Sequence, residues 1–150
     1  MWFINAFAAN DLESTRAVWE EASSILPGDA PLAFVYNNRA DREYRLPEFS
    51  NLPASLAAGR ESLVFVIGEN AAKAARRFAK AGVAAESLAP SRWEPAELLR
   101  CVSGRFPGSC IVFGAGNIKG PGLDLARFFE ERGREIRLGG ERGCGAMEEI

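Results

Sequence analysis

The feature that most constrains the fold is the regular alternation of short apolar runs with stretches of helical periodicity. The apolar runs cover residues 2–8, 32–36, 62–67 and 110–113, and polar or glycine-rich residues bound each of them. Continuous apolar runs of this length are typical of strands that are buried on both faces. Alternation with short connections predicts a parallel sheet with helices on both sides. The expected fold class is therefore α/β, a Rossmann-like three-layer sandwich with a mostly parallel sheet of five or six strands.

The length of 150 residues predicts one domain. We expect this α/β domain to occupy residues 1–132, with a glycine-rich charged tail at 133–150 that either adds an edge strand or is disordered. Met1 precedes an apolar run directly, which we interpret as a start placed at a domain boundary, the alternative being a natural first strand. No apolar run approaches the roughly 18 residues of a membrane span, and no basic leader precedes the first run. We therefore expect a cytoplasmic protein.

Composition excludes several classes of function. The chain has no histidine, which excludes Ser-His-Asp and Cys-His catalysis and histidine-ligated zinc within it. The near-neutral net charge of −2 argues against a nucleic-acid partner, which would require a basic stripe. We also expect no metal site and no catalytic side chain in this chain. Cys101 and Cys110 are predicted to be buried thiols in a reducing compartment, and a redox role for Cys144 stays open.

Three polar segments follow predicted strands, at the edge where ligands of parallel sheets bind. The first segment offers four polar side chains in one turn at the start of a helix, namely Asn10, Asp11, Ser14 and Thr15. The backbone N–H groups of such a turn attract anions. Capping of the helix by Asp11 is the simpler interpretation, and it is favoured on the local sequence alone.

The second segment is a polar loop rich in arginine. Its candidate binding residues are Asn37, Asn38, Arg39, Asp41 and Arg42. The planar guanidinium group suits carboxylate and phosphate, so the loop is a candidate anion site. A solvated loop, in which the arginines pair with Asp41 and Glu43, is the alternative.

The third segment is a glycine-rich loop that runs from Gly114 to Gly122. Its candidate binding residues are Gly114, Gly116, Asn117, Lys119 and Gly120. The spacing does not match the dinucleotide-binding motif, because the third glycine is one residue late, and it does not match the P-loop motif, because Lys119 precedes Gly120 and no Ser or Thr follows. The four glycines indicate a backbone that approaches another group closely, or else a tight turn with Pro121 at the helix start. The helix bearing Lys73, Arg76, Arg77 and Lys80 is predicted to present a solvated outer face.

Taken in order, the three segments resemble one known family. They read FINAFAANDLEST, FVYNNRADREYR and VFGAGNIKGPG. Together they are similar to the C-terminal domain of the ligase subunit of capsule poly-γ-glutamate synthases, within the Mur ligase superfamily. The resemblance covers residues 2 to 132. Leu12 departs from the proline expected at its position, and Asn38 replaces the proline of the Asn-Pro-Arg element that some Mur ligases use on the amino-acid carboxylate.

The resemblance implies both a fold and a function. It implies the fold of the Mur ligase C-terminal domain, which closes over a central P-loop ATPase domain of the same enzyme. It implies that ATP and Mg²⁺ serve the full-length enzyme, that a carboxylate is activated as an acyl phosphate, and that an amino group then attacks it. Glutamate or the poly-γ-glutamate chain is the implied substrate, and the three segments are the implied substrate and nucleotide contacts.

Further expectations follow from the same resemblance. Membrane subunits of the synthase are possible partners, which would place the enzyme on the cytoplasmic face of a membrane. This chain by itself should bind no cofactor tightly, hydrolyse no ATP and make no polymer, because it has no P-loop. Two alternatives stay open: a stand-alone α/β module that binds a nucleotide or an anionic metabolite, and a pure interaction domain.

Overall fold

The chain forms one mixed β-sheet flanked by helices. A computed structural model describes residues 1–9, 11–137 and 145–149. The seven described strands stand in the order β4-β3-β2-β5-β1-β7-β6. Their bounds are Trp2–Asn5 (β1), Leu32–Asn38 (β2), Ser62–Gly68 (β3), Ala85–Ser87 (β4), Ile111–Gly116 (β5), Gly133–Arg137 (β6) and Gly145–Glu149 (β7). The first five strands are parallel, which confirms the predicted α/β class.

Helices cover both faces of the sheet, so the predicted three-layer sandwich is confirmed. The six α-helices among the described residues are Leu12–Ser23 (α1), Leu46–Phe49 (α2), Leu52–Ala57 (α3), Ala71–Lys80 (α4), Pro95–Arg105 (α5) and Pro121–Arg132 (α6). Two 3₁₀ turns lie at Ala40–Arg45 and Pro90–Arg92. Helices α1 to α4 bury their apolar residues in the core on one face, and α5 and α6 do so on the other.

Aromatic side chains fill both cores. On the first face, the Trp19 and Phe113 rings meet edge-on, with their centroids 5.4 Å apart. On the second face, Phe3 stacks on Phe129 at a centroid distance of 4.2 Å. Each such pair joins a helix to the sheet and buries a large apolar area. The sheet edge that carries the polar residues is therefore held by a dense, rigid framework.

The C-terminal residues extend the sheet beyond the expected five or six strands. Strand β7 pairs antiparallel with β1, and β6 pairs antiparallel with β7. The sheet therefore has five parallel strands and an antiparallel hairpin. The edge strand expected near Ile136 is present as β6, while Leu138 lies outside the described residues.

Two strands run further than the apolar pattern predicts. Asn37 and Asn38 were expected in a loop, but they are the last residues of β2, and their exposed fractions are 0% and 1%. Gly114 and Gly116 likewise belong to β5 and not to the loop after it. Apolar periodicity misses these positions because it follows side chains, whereas backbone pairing keeps these polar or small residues in the sheet. Asn37, for example, pairs with both Ile67 and Gly116.

The strand order creates a crevice at the carboxyl ends of β2 and β5. These strands are neighbours, but the helices that follow them lie on opposite faces of the sheet, α2 and α3 on one and α6 on the other. The segments that follow β2 and β5 therefore leave the sheet towards opposite faces, and open α/β sheets bind ligands at such a point. The second and third polar segments begin on its two sides.

The cysteines differ from one another in burial. Cys110 is buried as predicted, whereas Cys101 on α5 is only half-buried and packs against the second core. Cys144 falls outside the described residues, so its role stays a hypothesis. None of the helices in the described part of the chain combines the length and apolar character needed to cross a bilayer.

Candidate functional site

A cleft of about 540 Å³ opens at the carboxyl ends of β2 and β3 and beside the loop before α6. Its lining residues are Asn37, Asn38, Arg39, Ala40, Asp41, Gly68, Glu69, Pro90, Lys119, Gly120 and Pro121. The structure thus brings the second and third predicted segments together in one depression. We call it the strand-end cleft.

Asn37 ties the two sides of the crevice together. Its side-chain amide donates hydrogen bonds to the backbone carbonyls of Asn117 (2.6 Å) and Lys119 (2.9 Å). The Asn117 side chain returns a hydrogen bond to the Asn37 carbonyl at 3.0 Å. Because both amides are buried, these bonds form in a low-dielectric setting and fix the loop firmly. Asn37 is therefore a positioning residue for Lys119. It can hold the loop because it belongs to a buried strand, and not to an exposed loop as the sequence predicted.

Asn38 fixes the end of the neighbouring strand in the same way. Its amide donates to the Glu69 carbonyl at 2.7 Å, and the Glu69 carboxylate accepts the Ala40 backbone N–H at 2.8 Å. Because each asparagine amide faces a carbonyl oxygen, the orientation of both side chains is determined. The Oδ1 atoms of Asn37 and Asn38 are buried and have no hydrogen-bond donor within the described part of the chain.

The arginine segment shows part of the pairing expected of a solvated loop, and its role as an anion site stays a prediction. The Arg39 guanidinium donates to the Asp41 carboxylate at 2.7 Å, and Arg42 lies 4.0 Å from the same carboxylate. Glu43, in contrast, pairs not with these arginines but with Lys73 on α4. Asp41 is exposed, so its ion pair with Arg39 is a weak one that a ligand carboxylate could replace.

A second, smaller cleft of about 190 Å³ adjoins the first. It is lined by Phe7, Ala8, Arg39, Arg42, Arg45, Gly116, Asn117, Ile118 and Lys119. Arg39 and Lys119 line both clefts and so lie at the boundary between them. Four cationic side chains face this small volume, which makes it complementary to an anion.

Glycine is required where the strand ends approach each other. Gly68 has a φ of +86°, and a Cβ atom there would overlap the Asn38 carbonyl and the Asn37 side chain. Gly116 has a φ of +97°, and a Cβ atom would lie 2.7 Å from the Asn37 carbonyl. Positive φ angles of this kind are unfavourable for residues with a Cβ. The predicted close approach of the glycine-rich segment is confirmed at Gly116, where the backbone of β5 approaches the backbone of β2.

The first polar segment is used for capping. The Asp11 carboxylate accepts the Ser14 backbone N–H at 2.7 Å and the Ser14 hydroxyl at 3.0 Å. The buried Thr15 hydroxyl donates to the Asp11 carbonyl at 2.8 Å. None of these three residues lines either cleft. Asn10 lies outside the described residues, so its binding role stays a prediction.

Replacement of Asp11 by Asn is expected to change how stability depends on pH. The hydrogen bonds from Ser14 hold the pKa of Asp11 below its usual 3.8, and Arg45 adds a smaller effect in the same direction. A carboxyl with a lowered pKa stabilises the fold above its unfolded pKa, and this contribution is lost as the pH falls through the lowered value. The wild type should therefore exceed the variant in unfolding midpoint at neutral pH, and the gap should close on acidification. Urea titrations across this range measure it.

Asp29→Asn is the matched control, since it removes an exposed turn carboxylate and makes the same change in net charge. The difference in unfolding midpoint between wild type and variant should depend on pH in this way for Asp11→Asn and not for Asp29→Asn. A difference between wild type and Asp11→Asn that does not change with pH would show that the charge of the cap is immaterial.

The clefts offer cations that can bind and orient an anion. The carboxylates that line the larger cleft, Asp41 and Glu69, are engaged with the Arg39 guanidinium and the Ala40 backbone N–H. Tyr36, two residues before Asn38 in β2, packs against Phe49 and Phe78, and burial raises its pKa to about 12. The cationic groups supply positive charge and directed N–H donors, which is the chemistry of positioning.

Sequence analysis missed the contribution of β3 to the site. Gly68 and Glu69 line the strand-end cleft, and Pro90 lines it from the turn after β4. The signal was available, because Gly68-Glu69-Asn70 directly follows the clearest predicted strand and so had to reach the same edge. Arg45 was part of the arginine segment, but it was not chosen as a candidate.

These features define a Rossmann-like α/β domain with a cationic double cleft at the carboxyl edge of its sheet. The family model of the poly-gamma-glutamate synthase CapB C-terminal domain matches residues 1–132. The chain belongs to this family of CapB C-terminal domains.

Two curated relatives agree with this assignment. PGA synthase CapB of Bacillus subtilis (strain 168) is 30% identical over 132 residues, which are 86% of this chain and 32% of the relative. The capsule biosynthesis protein CapB of Bacillus anthracis is 30% identical over 122 residues, or 79% of this chain and 25% of the relative. The chain thus spans about a third of the first and a quarter of the second. No solved structure matches the chain.

Proposed function

We propose that this domain is the substrate-binding and closure domain of an ATP-dependent amide ligase that builds poly-γ-glutamate through an acyl-phosphate intermediate. The observation that carries the proposal is the cationic double cleft, which lies at the carboxyl edge of a CapB C-terminal domain. The curated relatives are described as a PGA synthase and a capsule biosynthesis protein, which supports the same substrate class.

The charge of the clefts suits glutamate. Arg39 and Lys119 border both clefts, and Arg42 borders the smaller one, so two carboxylates of one molecule can meet separate cations. The Arg39 guanidinium already holds a carboxylate, that of Asp41, at 2.7 Å. A substrate carboxylate would replace the Asp41 carboxylate on Arg39, because a planar guanidinium forms strong charge-assisted hydrogen bonds to carboxylates. Asn37 keeps the Lys119 backbone in place meanwhile.

The partner of this domain is, in our proposal, the central P-loop domain of the same enzyme. ATP and Mg²⁺ supply the phosphoryl group that activates a substrate carboxylate there. The groups of this chain that suit a phosphate are the Lys119 ammonium and the backbone N–H groups of Gly122 and Leu123 in the first turn of α6, although Pro121 has no N–H and Asp124 adds a carboxylate to that turn. They would cover the nucleotide once the two domains close.

Closure gives the domain its role in the reaction. An acyl phosphate hydrolyses if water reaches it, so the domain must exclude water while it holds the attacking amino group near the activated carbon. The rigid network around Asn37 and Asn38 suits this task, since a precisely held amine is a large part of the rate enhancement in such a step. We propose no catalytic side chain and no metal ligand on this chain. The enzyme would act in the cytoplasm beside the membrane subunits of a synthase.

The test compares the chain with the synthase that carries it. The synthase should release ADP and form γ-linked glutamate in the presence of ATP and Mg²⁺, whereas the 150-residue chain should do neither. Calorimetric titration of the chain with ATP, ADP and glutamate should show no tight binding, as expected for half of a site. Glutamate ligation by the chain alone would contradict the proposal. Tight nucleotide binding by the chain alone would favour the alternative, a stand-alone module for an anionic metabolite.

A further inference from the structure

A third depression, of about 370 Å³, lies between α4 and the start of α2. Its lining residues are Asn38, Glu43, Leu46, Pro47, Lys73, Ala74, Arg76, Arg77 and Lys80. We call it the basic groove. Four of these side chains are cationic and one is a carboxylate, although the whole chain has a net charge of −2. Positive charge is thus concentrated on one face of a chain that is otherwise acidic.

The cations of the basic groove are unequally partnered. Lys73 donates to the Glu43 carboxylate at 2.9 Å. Within the described part of the chain, Arg76, Arg77 and Lys80 have no ion-pair partner within 4.0 Å. The groove therefore offers positive charge that the fold itself does not use, at exposed side chains that a ligand can reach.

Glu43 shows what kind of group the groove accepts. Its carboxylate receives hydrogen bonds from Lys73 and from the Asn70 side chain, both at 2.9 Å. These bonds hold the pKa of Glu43 below its usual value. A carboxylate from the protein thus occupies one end of the groove, and the unpaired cations continue along the same helix.

We infer that the basic groove binds a chain of γ-linked glutamate, the polyanionic product of the proposed ligase. The inference rests on the proposed function for the identity of the polymer. Asn38 lines both the groove and the strand-end cleft, so the two depressions adjoin and a polymer that leaves the cleft can enter the groove. The groove is a binding site for carboxylates beyond the reacting glutamate.

The spacing of the helix favours this polymer. Residues three or four apart on a helix have Cβ atoms about 5–6 Å apart, and Lys73, Arg76 or Arg77, and Lys80 follow that spacing. An extended γ-linked glutamate chain adds five main-chain bonds per residue, so its carboxylates repeat roughly every 6 Å and alternate between its two sides. Carboxylates on one side therefore recur roughly every 12 Å, close to the rise of about 10.5 Å along the helix between Lys73 and Lys80. One side of the polymer can therefore present carboxylates to both ends of this row of cations, with Arg76 and Arg77 between them. A flat membrane surface does not fit a concave groove, and the acidic net charge of the chain repels nucleic acid outside it.

The experiment measures binding of a synthetic γ-linked glutamate oligomer to the 150-residue chain by fluorescence anisotropy. The Arg76→Gln/Arg77→Gln variant should bind about ten-fold more weakly, since two exposed ion pairs are lost. The matched control is Arg100→Gln/Arg127→Gln, which removes two exposed arginines on the opposite face and should bind like the wild type. Circular dichroism checks that each variant is folded.

Several outcomes would overturn the inference. They are absence of binding by the wild type, equal loss in both double variants, and equally tight binding of oligothymidylate or phosphatidylserine vesicles to the same arginines. The use of monomeric glutamate by the synthase tests the strand-end cleft separately. If Arg39→Ala left glutamate use in the synthase unchanged while the groove variant lost the oligomer, the proposed cleft would fail and the groove would stand.

Discussion

Replacement of Asn37 by Asp is expected to lower the free energy of unfolding by about 3–5 kcal/mol at neutral pH, the usual cost of an uncompensated buried charge. The Asn37 side chain is fully buried, and its amide donates to two backbone carbonyls. A carboxylate at this position loses both donors and faces two carbonyl oxygens instead. Equilibrium urea unfolding measures the change.

The loss should depend on pH in a defined direction. Burial beside carbonyl oxygens raises the pKa of the new carboxyl in the folded state. The native variant then binds more protons than the unfolded chain, so its stability falls as the pH rises above the unfolded value of about 3.9. Stability relative to the wild type should therefore recover on acidification, because a protonated carboxyl can donate one hydrogen bond.

Asn51→Asp is the matched control, because Asn51 is exposed and caps α3 without a side-chain hydrogen bond. We expect a change within about 0.5 kcal/mol there. Equal losses at both positions, or a loss below about 1 kcal/mol at Asn37, would mean that the loop before α6 is held by other contacts.

The parallel sheet could be predicted because a central strand that is buried on both faces needs apolar residues at consecutive positions. Phe34 and Val64 are buried for that reason, and their runs were recognised. The ends of the strands could not be predicted in the same way. Asn37 remains in β2 because its backbone pairs with two neighbouring strands, and backbone pairing leaves no trace in side-chain polarity.

The candidate site was predictable in position more than in detail. Parallel strands direct their carboxyl ends to one edge, so Arg39 and Lys119 were expected to approach each other, and both line the same clefts. The described residues of the first segment do not join the clefts, because their side chains find hydrogen-bond partners within the segment. Asp11 can satisfy Ser14 within its own turn, and a short-range bond of this kind requires no ligand. The partner of Glu43 was not predictable, because Lys73 is 30 positions away.

Replacement of Arg39 by Ala in the proposed ligase is expected to weaken the use of glutamate by about 1.5–3 kcal/mol, the worth of a hydrogen bond to a charged group. Arg39 lines both clefts and already holds the Asp41 carboxylate at 2.7 Å. The loss should appear in kcat/KM for glutamate at saturating ATP, as a reduction of about ten-fold or more. Arg39→Lys should recover only part of it, because an ammonium lacks the planar fork.

Arg127→Ala is the control for this substitution, since Arg127 is exposed on α6 and lines neither cleft. Its kcat/KM should equal that of the wild type. Asp41→Asn separates two roles of Arg39, because it weakens the internal ion pair without removing the guanidinium. If Arg39 binds substrate, this variant should retain or improve glutamate use. If Arg39 serves only to order its own loop, Asp41→Asn should impair the enzyme as Arg39→Ala does. Unchanged kcat and KM in Arg39→Ala would remove this arginine from the site.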